Sequence, residues 1–233
     1  VTGFTLGSGT IVTDVTASNY ALTSLASGTV YQFYVRANCA SEDSLWAGPF
    51  SFATVCLPVT EFYESFDTTT ASFGGPLPIC WSKGGSAANV YLTGGSAIPM
   101  SAPNRLYMFS NSDSSIETFA NMPLISNLQA NTHRLRFTAY CTVADRVIQV
   151  GYLTDPNDVA TYQYLDEFLM PSNQIGSAAQ FTLAPGALPA GVQRLVFRNV
   201  TAPGETATIY IDDVRWEAIP TCTEPTNVAV SNV

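Results

Sequence analysis

Four acidic residues in two distant motifs have the chemistry of calcium ligands. Glu64 and Asp67 belong to "ESFD", and Asp212 and Asp213 belong to "YIDDVRW" near the other end of a long strand-rich segment. Calcium takes about six to eight oxygen ligands, several of them carboxylate. A shared site requires the strands carrying the two motifs to be neighbours. Otherwise the four residues are solvent-facing acids and turn caps.

The "YIDDVRW" motif also breaks the alternation of a β-strand. Its isoleucines share one face, but Val214 and Trp216 fall on the opposite face if alternation is strict. A β-bulge at Asp212 and Asp213 would return all four apolar residues to one face. It would also turn one carboxylate toward the first strand of the domain.

Residues suited to catalysis are sparse. His133 is the only histidine and begins the strand-like run "HRLRFTAY", which favours a packed or exposed side chain over a catalytic base. No G-x-S-x-G motif is present. A glycosidase needs two carboxylates across a cleft. Asp155 and Asp158 are one such pair, but "TDPND" is typical of a turn, and Asp166 and Glu167 are the other pair. The sequence predicts no enzyme.

Two tyrosines are candidates for ligand binding. Tyr162 and Tyr164 share a face if "TYQYLDEFLM" is a strand, and their rings could stack on sugars. Ordinary cross-strand packing is the alternative. Trp46 and Trp81 are similarly ambiguous, although Trp81 follows a cysteine and precedes a Gly/Ser loop, which favours a core position.

Composition excludes two classes of partner. The 233 residues include 18 acidic and 9 basic side chains, for a net charge of -9. With no Lys/Arg cluster, nothing would displace counterions from a phosphate backbone, so nucleic acid is excluded. No apolar stretch approaches the roughly 20 residues that cross a bilayer, so no membrane insertion is expected.

Strand signals dominate and predict an all-β chain built of sandwiches. They are β-branched and aromatic runs between turn residues, namely "GTIVTDV", "TVYQFYVRA", "FSFATV", "HRLRFTAYCTV", "RVIQVGYL", "VQRLVFRNV" and "ATIYIDDVRW".

Residues 1–55 resemble the C-terminal part of a fibronectin type III domain, since "LASGTVYQFYVRA" matches its L-x-P-G-T-x-Y-x-x-x-V-x-A signature except that Ala26-Ser27 replaces the usual x-Pro. The resemblance implies that Tyr31 forms a corner, its hydroxyl bonded to upstream backbone. It also implies about four of the usual seven strands here, with the first strands expected upstream. Residues 220–233, "PTCTEPTNVAVSNV", resemble the first strand of a following module of the same kind.

Residues 56–219 resemble the MAM-like and cleaved-adhesin jelly-roll domains of exported Bacteroidota proteins, through "EFYESFDTTTASFGGPLPICW", "NRLYMFS", "LRFTAYC" and "IYIDDVRW". The resemblance implies a noncatalytic, extracellular jelly roll that calcium often stabilises. The implied site combines Glu64, Asp213 and backbone carbonyls, with Asp67 and Asp212 as further candidate ligands.

The five cysteines allow several pairings. Within a fibronectin-like topology, Cys39 and Cys56 would lie about 23 Å apart at about 3.3 Å per residue, too far for a disulfide. Cys39 and Cys222 are therefore expected to pair outside this chain. Cys56–Cys80 is favoured, with Cys141 a buried thiol, and Cys80–Cys141 is the alternative.

Two motifs suggest glycosylation. Asp67-Thr68-Thr69 resembles the O-glycosylation acceptor of Bacteroidota, with Thr68 modified, and Asn199 begins an N-x-T sequon.

The sequence thus predicts an internal region of a large exported protein of the cell surface, in adhesion or scaffolding, as in a fibre or stalk. The alternative is an accessory carbohydrate-binding region of a secreted hydrolase. Expected partners are neighbouring modules of the same chain, glycans, and proteins of host or other cell surfaces.

Overall fold

Regular structure in the described chain consists of thirteen β-strands and two short 3-10 helices. The structure is a computed structural model that describes residues 5–39, 41–95, 100–111, 116–141, 143, 145–170, 177–184, 186–202 and 204–222, without the side chains of 177–180. The 3-10 helices span Ala87–Asn89 and Val159–Thr161. The strands are β1 (Val30–Val35), β2 (Ala47–Ala53), β3 (Phe62–Glu64), β4 (Ser82–Gly85), β5 (Val90–Gly94), β6 (Asn104–Asn111), β7 (Thr118–Asn121), β8 (His133–Cys141), β9 (Arg146–Leu153), β10 (Tyr162–Met170), β11 (Ser177–Thr182), β12 (Val196–Val200) and β13 (Thr206–Ala218).

The chain divides into two units, Val1–Leu57 and Pro58–Val233. In the first, β1 and β2 form an antiparallel two-stranded sheet. The Tyr31 hydroxyl accepts a hydrogen bond from the Ala26 N–H at 2.8 Å. This is the corner contact that the fibronectin type III resemblance implies, although assignment of this unit to that family stays a prediction.

One strand predicted in the first unit is wrong. Residues 9–15, "GTIVTDV", are described and form no strand. A β-branched run is stabilised as a strand by cross-strand neighbours, and none pairs with it in the described residues. Ile11 is accordingly 62% exposed, and Asp14 has a positive φ of 61°.

The second unit is a jelly-roll β-sandwich of two antiparallel sheets, which confirms the predicted all-β class. One sheet has five strands in the order β10-β9-β12-β7-β4. The other has six, in the order β11-β8-β13-β6-β5, with β3 paired to β13. The predicted contact between the domain's first and last strands is therefore confirmed, since Glu64 on β3 lies opposite Val214 on β13.

Alternating apolar residues of the two sheets form the core between them. On β9, for example, Ile148 and Val150 are fully buried between residues that face outward. Trp81, only 7% exposed, packs edge-on against Phe66 with ring centroids 5.3 Å apart. The expected core position of this tryptophan is confirmed.

No helix in the described ranges is long and apolar enough to cross a membrane. The predicted strand in residues 220–233 falls almost wholly outside the described residues, which end at Cys222.

Candidate functional site

The predicted β-bulge lies in β13 where it passes β8. Asp212 pairs with Thr138 and Arg215 pairs with Arg136, so two residues of β13 face one residue of β8. Asp213 adopts a positive φ of 50°, as the extra residue of a bulge often does. The apolar residues on both sides of the bulge are all at most 1% exposed, which confirms that the bulge restores their common face: Ile209, Ile211, Val214 and Trp216.

All four predicted acidic ligands lie where β3 meets β13, and each accepts a hydrogen bond. The Phe66 N–H donates to Glu64 at 2.7 Å, and the Asn104 N–H donates to Asp67 at 2.8 Å.

Asp212 and Asp213 have different surroundings. Asp212 is fully buried and accepts hydrogen bonds from the Ser101 hydroxyl at 2.9 Å and the Asp213 N–H at 2.8 Å. Asp213 accepts from the Tyr63 hydroxyl at 2.5 Å. Arg215 lies 3.9 Å from the centroid of the same tyrosine ring. Asp212 is thus hydrogen-bonded to Ser101, which lies outside the two strands, whereas Asp213 is hydrogen-bonded to Tyr63 of β3.

Burial gives two of these carboxyl groups an unusual protonation. It raises the pKa of Asp212 to about 7, against the lowering effect of its two hydrogen bonds, and the charges of Asp213 and Asp67 raise it further. Burial also raises the pKa of Glu64, with the Phe66 N–H lowering it and Asp67 raising it. Burial therefore favours the neutral, protonated form of both carboxyl groups.

The described side chains do not form a complete set of metal ligands in this arrangement. In the described part of the chain, no group of three or more His, Cys, Asp or Glu side chains is arranged to hold a metal ion. The donors are nevertheless oxygens of the hard type that calcium prefers.

The two predicted sugar-binding tyrosines share the outer face of the five-stranded sheet. Tyr162 lies opposite Leu153 and Tyr164 opposite Gly151. Tyr164 is 52% exposed, whereas the ring of Tyr162 lies so close over Gly151 that a Cβ there would be 2.5 Å from it. Burial strongly raises the pKa of Tyr162. Only Tyr164 is therefore open to a ligand, and Tyr162 has a packing role.

Arg198 contacts several side chains of this outer face. The sequence alone did not indicate its role. Its guanidinium lies 5.1 Å from the ring centroid of Tyr162 and 5.7 Å from that of Phe119. It also donates to Glu117 at 2.7 Å and to Gln149 at 3.3 Å. A glycine inside a strand signals such a close approach, so Gly151 was the available clue to Tyr162, but not to Arg198.

An open cleft of about 440 Å³ adjoins this network. Its lining mixes aromatic, aliphatic and polar groups, namely Gly85, Ser86, Asn111, Glu117, Phe119, Val159 and Thr201.

His133 has a structural setting. Its ring stacks on Trp216 with centroids 5.7 Å apart, and its Nε2 lies 3.3 Å from Glu61. The Trp216 indole N–H donates to Asn127 at 2.9 Å, and the Asn127 amide lies 3.2 Å from the histidine ring nitrogens. Packing and hydrogen bonding explain this histidine.

Comparison with known proteins bears on the fold. Neither a protein-family model nor a curated protein sequence matches this chain. Among solved structures, the K2 cleaved adhesin domain of Lys-gingipain matches with a TM-score of 0.51 at 11% identity, over 68% of this chain and 99% of that one. The second unit has the fold of a cleaved adhesin domain.

Further matches have lower scores. The K1 cleaved adhesin domain of Lys-gingipain from Porphyromonas gingivalis matches at 18% identity with a TM-score of 0.48, over 70% of this chain and 100% of that one. A C-terminal family 22 carbohydrate binding module of Clostridium thermocellum matches at 12% identity with a TM-score of 0.46, over 70% of this chain and 95% of that one.

The cysteines are distributed as follows. Cys56 and Cys80 are disulfide-bonded, and Cys39, Cys141 and Cys222 are free. Cys141 is buried in the adhesin-like unit and its thiol donates to the Val143 carbonyl at 2.8 Å. Burial raises the pKa of this thiol, so it is an inert core group.

The two glycosylation motifs differ in access. Thr68 is exposed, and its modification stays a prediction. Asn199 is fully buried in the adhesin-like unit, and its amide donates to the carbonyls of Met108 at 2.9 Å and Ala207 at 3.0 Å. A glycan on Asn199 is incompatible with the folded sandwich.

Proposed function

We propose that this chain is a noncatalytic adhesion or scaffolding region of an exported, modular surface protein. The adhesin-like fold of the second unit is the observation that carries this proposal. The packed settings of His133 and the buried acids support it, because these groups serve the sandwich. A disulfide also suits an oxidising, extracellular location.

The test is adhesion of beads coated with the 233-residue chain to immobilised fibrinogen, collagen and mucin. We expect saturable attachment to at least one surface, and none for beads coated with the reduced, alkylated and unfolded chain. Hydrolysis of a peptide or polysaccharide panel by the purified chain, or attachment that is equal for folded and unfolded chains, would contradict the proposal.

The alternative function is accessory carbohydrate binding by the outer face of the five-stranded sheet. Tyr164 favours it, because it is an exposed aromatic ring on a face where Gln149 donates to Glu167 at 3.3 Å and also accepts from Arg198. Sugar sites commonly combine an aromatic surface with a few fixed polar groups.

For this face, Tyr164→Ala is expected to weaken binding on a glycan array about tenfold, the effect of losing one well-placed aromatic contact. Tyr20→Ala is the matched control, since Tyr20 is 57% exposed in the other unit. Equal binding by both variants would rule out this face. Tyr162→Ala is avoided because it disrupts packing.

We also propose a structural calcium ion where β3 meets β13, held by Glu64 and Asp213 with backbone carbonyls and with Asp67 or Asp212 as further ligands. The raised pKa of Asp212 and of Glu64 supports this site, because a divalent cation would offset the cost of their buried charge.

A further inference from the structure

A row of aromatic side chains crosses the outer face of the six-stranded sheet. Tyr91, Tyr107, Tyr210 and Tyr140 occupy directly paired positions on β5, β6, β13 and β8. Successive ring centroids are 4.5, 5.6 and 5.9 Å apart. Phe73, 82% exposed, extends the row with its centroid 5.0 Å from that of Tyr91. We call these five residues the aromatic row.

The aromatic row faces away from the core. The strand neighbours of its tyrosines are fully or almost fully buried between the sheets, among them Leu92, Met108 and Ile209, so the tyrosines point outward. Each tyrosine is partly exposed. The row runs across the strands for roughly 19 Å, three steps of about 4.8 Å between strands plus the step to Phe73.

The rings of the aromatic row belong to uncharged side chains. Burial raises the pKa of Tyr91 to about 12, with smaller effects from Tyr107 and Tyr210, so its hydroxyl stays protonated in ordinary buffers. The guanidinium of Arg105 lies 5.4 Å from the centroid of Tyr210 and donates to the Gly95 carbonyl at 3.0 Å.

Charge and area limit what this surface can bind. Aromatic rows that stack nucleic-acid bases lie in positively charged grooves, whereas this chain has a net charge of -9. The row also exposes at most roughly 500 Å² if a whole aromatic side chain presents roughly 200 Å². A stable protein interface buries about 800 Å² on each partner.

The spacing of the rings excludes proline-rich peptides as ligands. Proline-rich peptides dock into grooves lined by aromatic rings. Adjacent ring centroids of the aromatic row are only 4.5, 5.6 and 5.9 Å apart, which leaves no gap between the rings for a proline ring.

The geometry points to a linear, uncharged polysaccharide that lies along the aromatic row, across the strands. Each sugar unit presents C–H groups and hydroxyls, which match the ring edges and phenolic hydroxyls of successive tyrosines. Tyrosine gives such contacts at low cost in conformational entropy, because its side chain is rigid. The site lies on the sheet opposite Tyr164 and does not depend on the function proposed for that face.

The test is native electrophoresis of the full chain in gels containing hydroxyethylcellulose, konjac glucomannan or arabinose-free xylan. The net charge of -9 carries the protein through the gel, so binding appears as retardation. We expect retardation by at least one polymer. We expect Phe73→Ala to weaken binding about threefold and Tyr107→Ala about tenfold.

Phe73→Ala removes an exposed ring and leaves the sheet intact, so it keeps the test valid if Tyr107→Ala fails to fold. Tyr20→Ala is the control and is expected to bind normally, since Tyr20 is 57% exposed in the first unit. The inference is overturned if no polymer retards the chain, if only anionic alginate does, or if Tyr164→Ala alone abolishes retardation. Sedimentation showing a dimer that Phe73→Ala dissociates would assign the row to a second copy and also overturn it.

Discussion

Deletion of Arg215 is expected to unfold the adhesin-like unit, whereas deletion of Asp213, two positions earlier, is expected to leave it folded. Without Asp213 the strand regains strict alternation, and Val214 and Trp216 still face the core. Without Arg215, Trp216 moves to the outer face. Removing a buried tryptophan side chain from a core costs about 3–5 kcal/mol.

The measurement is urea unfolding followed by circular dichroism and tryptophan fluorescence. We expect the Asp213 deletion to lose no more than about 2 kcal/mol, mainly through the lost hydrogen bond from Tyr63. We expect no cooperative transition of the jelly roll in the Arg215 deletion. If the two deletions behave alike, the bulge does not set the register of β13.

The second large effect is expected from Asp212→Asn in the presence of EGTA. Asp212 has a pKa of about 7 in the folded state and a reference value of 3.8. Between these values the folded state holds a proton that the unfolded state has lost, so stability falls as pH rises through this range. Above pH 7 the cost reaches at most about 4 kcal/mol. The neutral asparagine side chain removes this cost of ionisation.

Thermal unfolding from pH 5 to pH 8 gives the readout. In EGTA at pH 8, Asp212→Asn is expected to melt about 5 °C above the unsubstituted chain, and this difference should narrow as the pH falls to 5. Asp155→Asn, at an exposed turn, is the matched control and should change little. A parallel pH dependence in all three proteins would show that Asp212 is ionised without cost.

Calcium adds an independent arm to this experiment. If the proposed ion binds, calcium should raise the melting temperature of the unsubstituted chain most at pH 8, where the carboxylates are charged, and less in Asp212→Asn. The same melting temperature with calcium and with EGTA at every pH would reject the ion, while the comparison in EGTA would still test the burial of Asp212.

The sequence could predict those features that a local pattern of apolar residues reveals. The bulge followed from the faces of the isoleucines and of Val214 and Trp216, because burial imposes a period of two on any half-buried strand. Residues 82–85, "SKGG", form β4 without any such pattern. Their strand conformation comes from pairing with β7, which the local sequence does not contain.

The residues that the sequence did not reveal are brought together by pairing between strands that are distant in the chain. Tyr91 and Tyr210 are far apart in the chain, and only the pairing of β5, β6 and β13 aligns them in one row. Arg198 was overlooked for the same reason, since its partners lie on β7, β9 and β10. The acidic pairs were found because the resemblance supplied the neighbouring positions of β3 and β13, which no spacing rule provides.

Because Asn199 is buried in the folded protein, a glycan can be attached to it only before the sandwich forms. An oligosaccharyltransferase meets a nascent chain before its sandwich closes, when the sequon is still accessible. Attachment of a glycan would then compete with folding, because the same amide nitrogen is needed for the bonds to Met108 and Ala207 that link the two sheets. In a host that glycosylates sequons, the yield of folded protein would depend on which of the two events comes first.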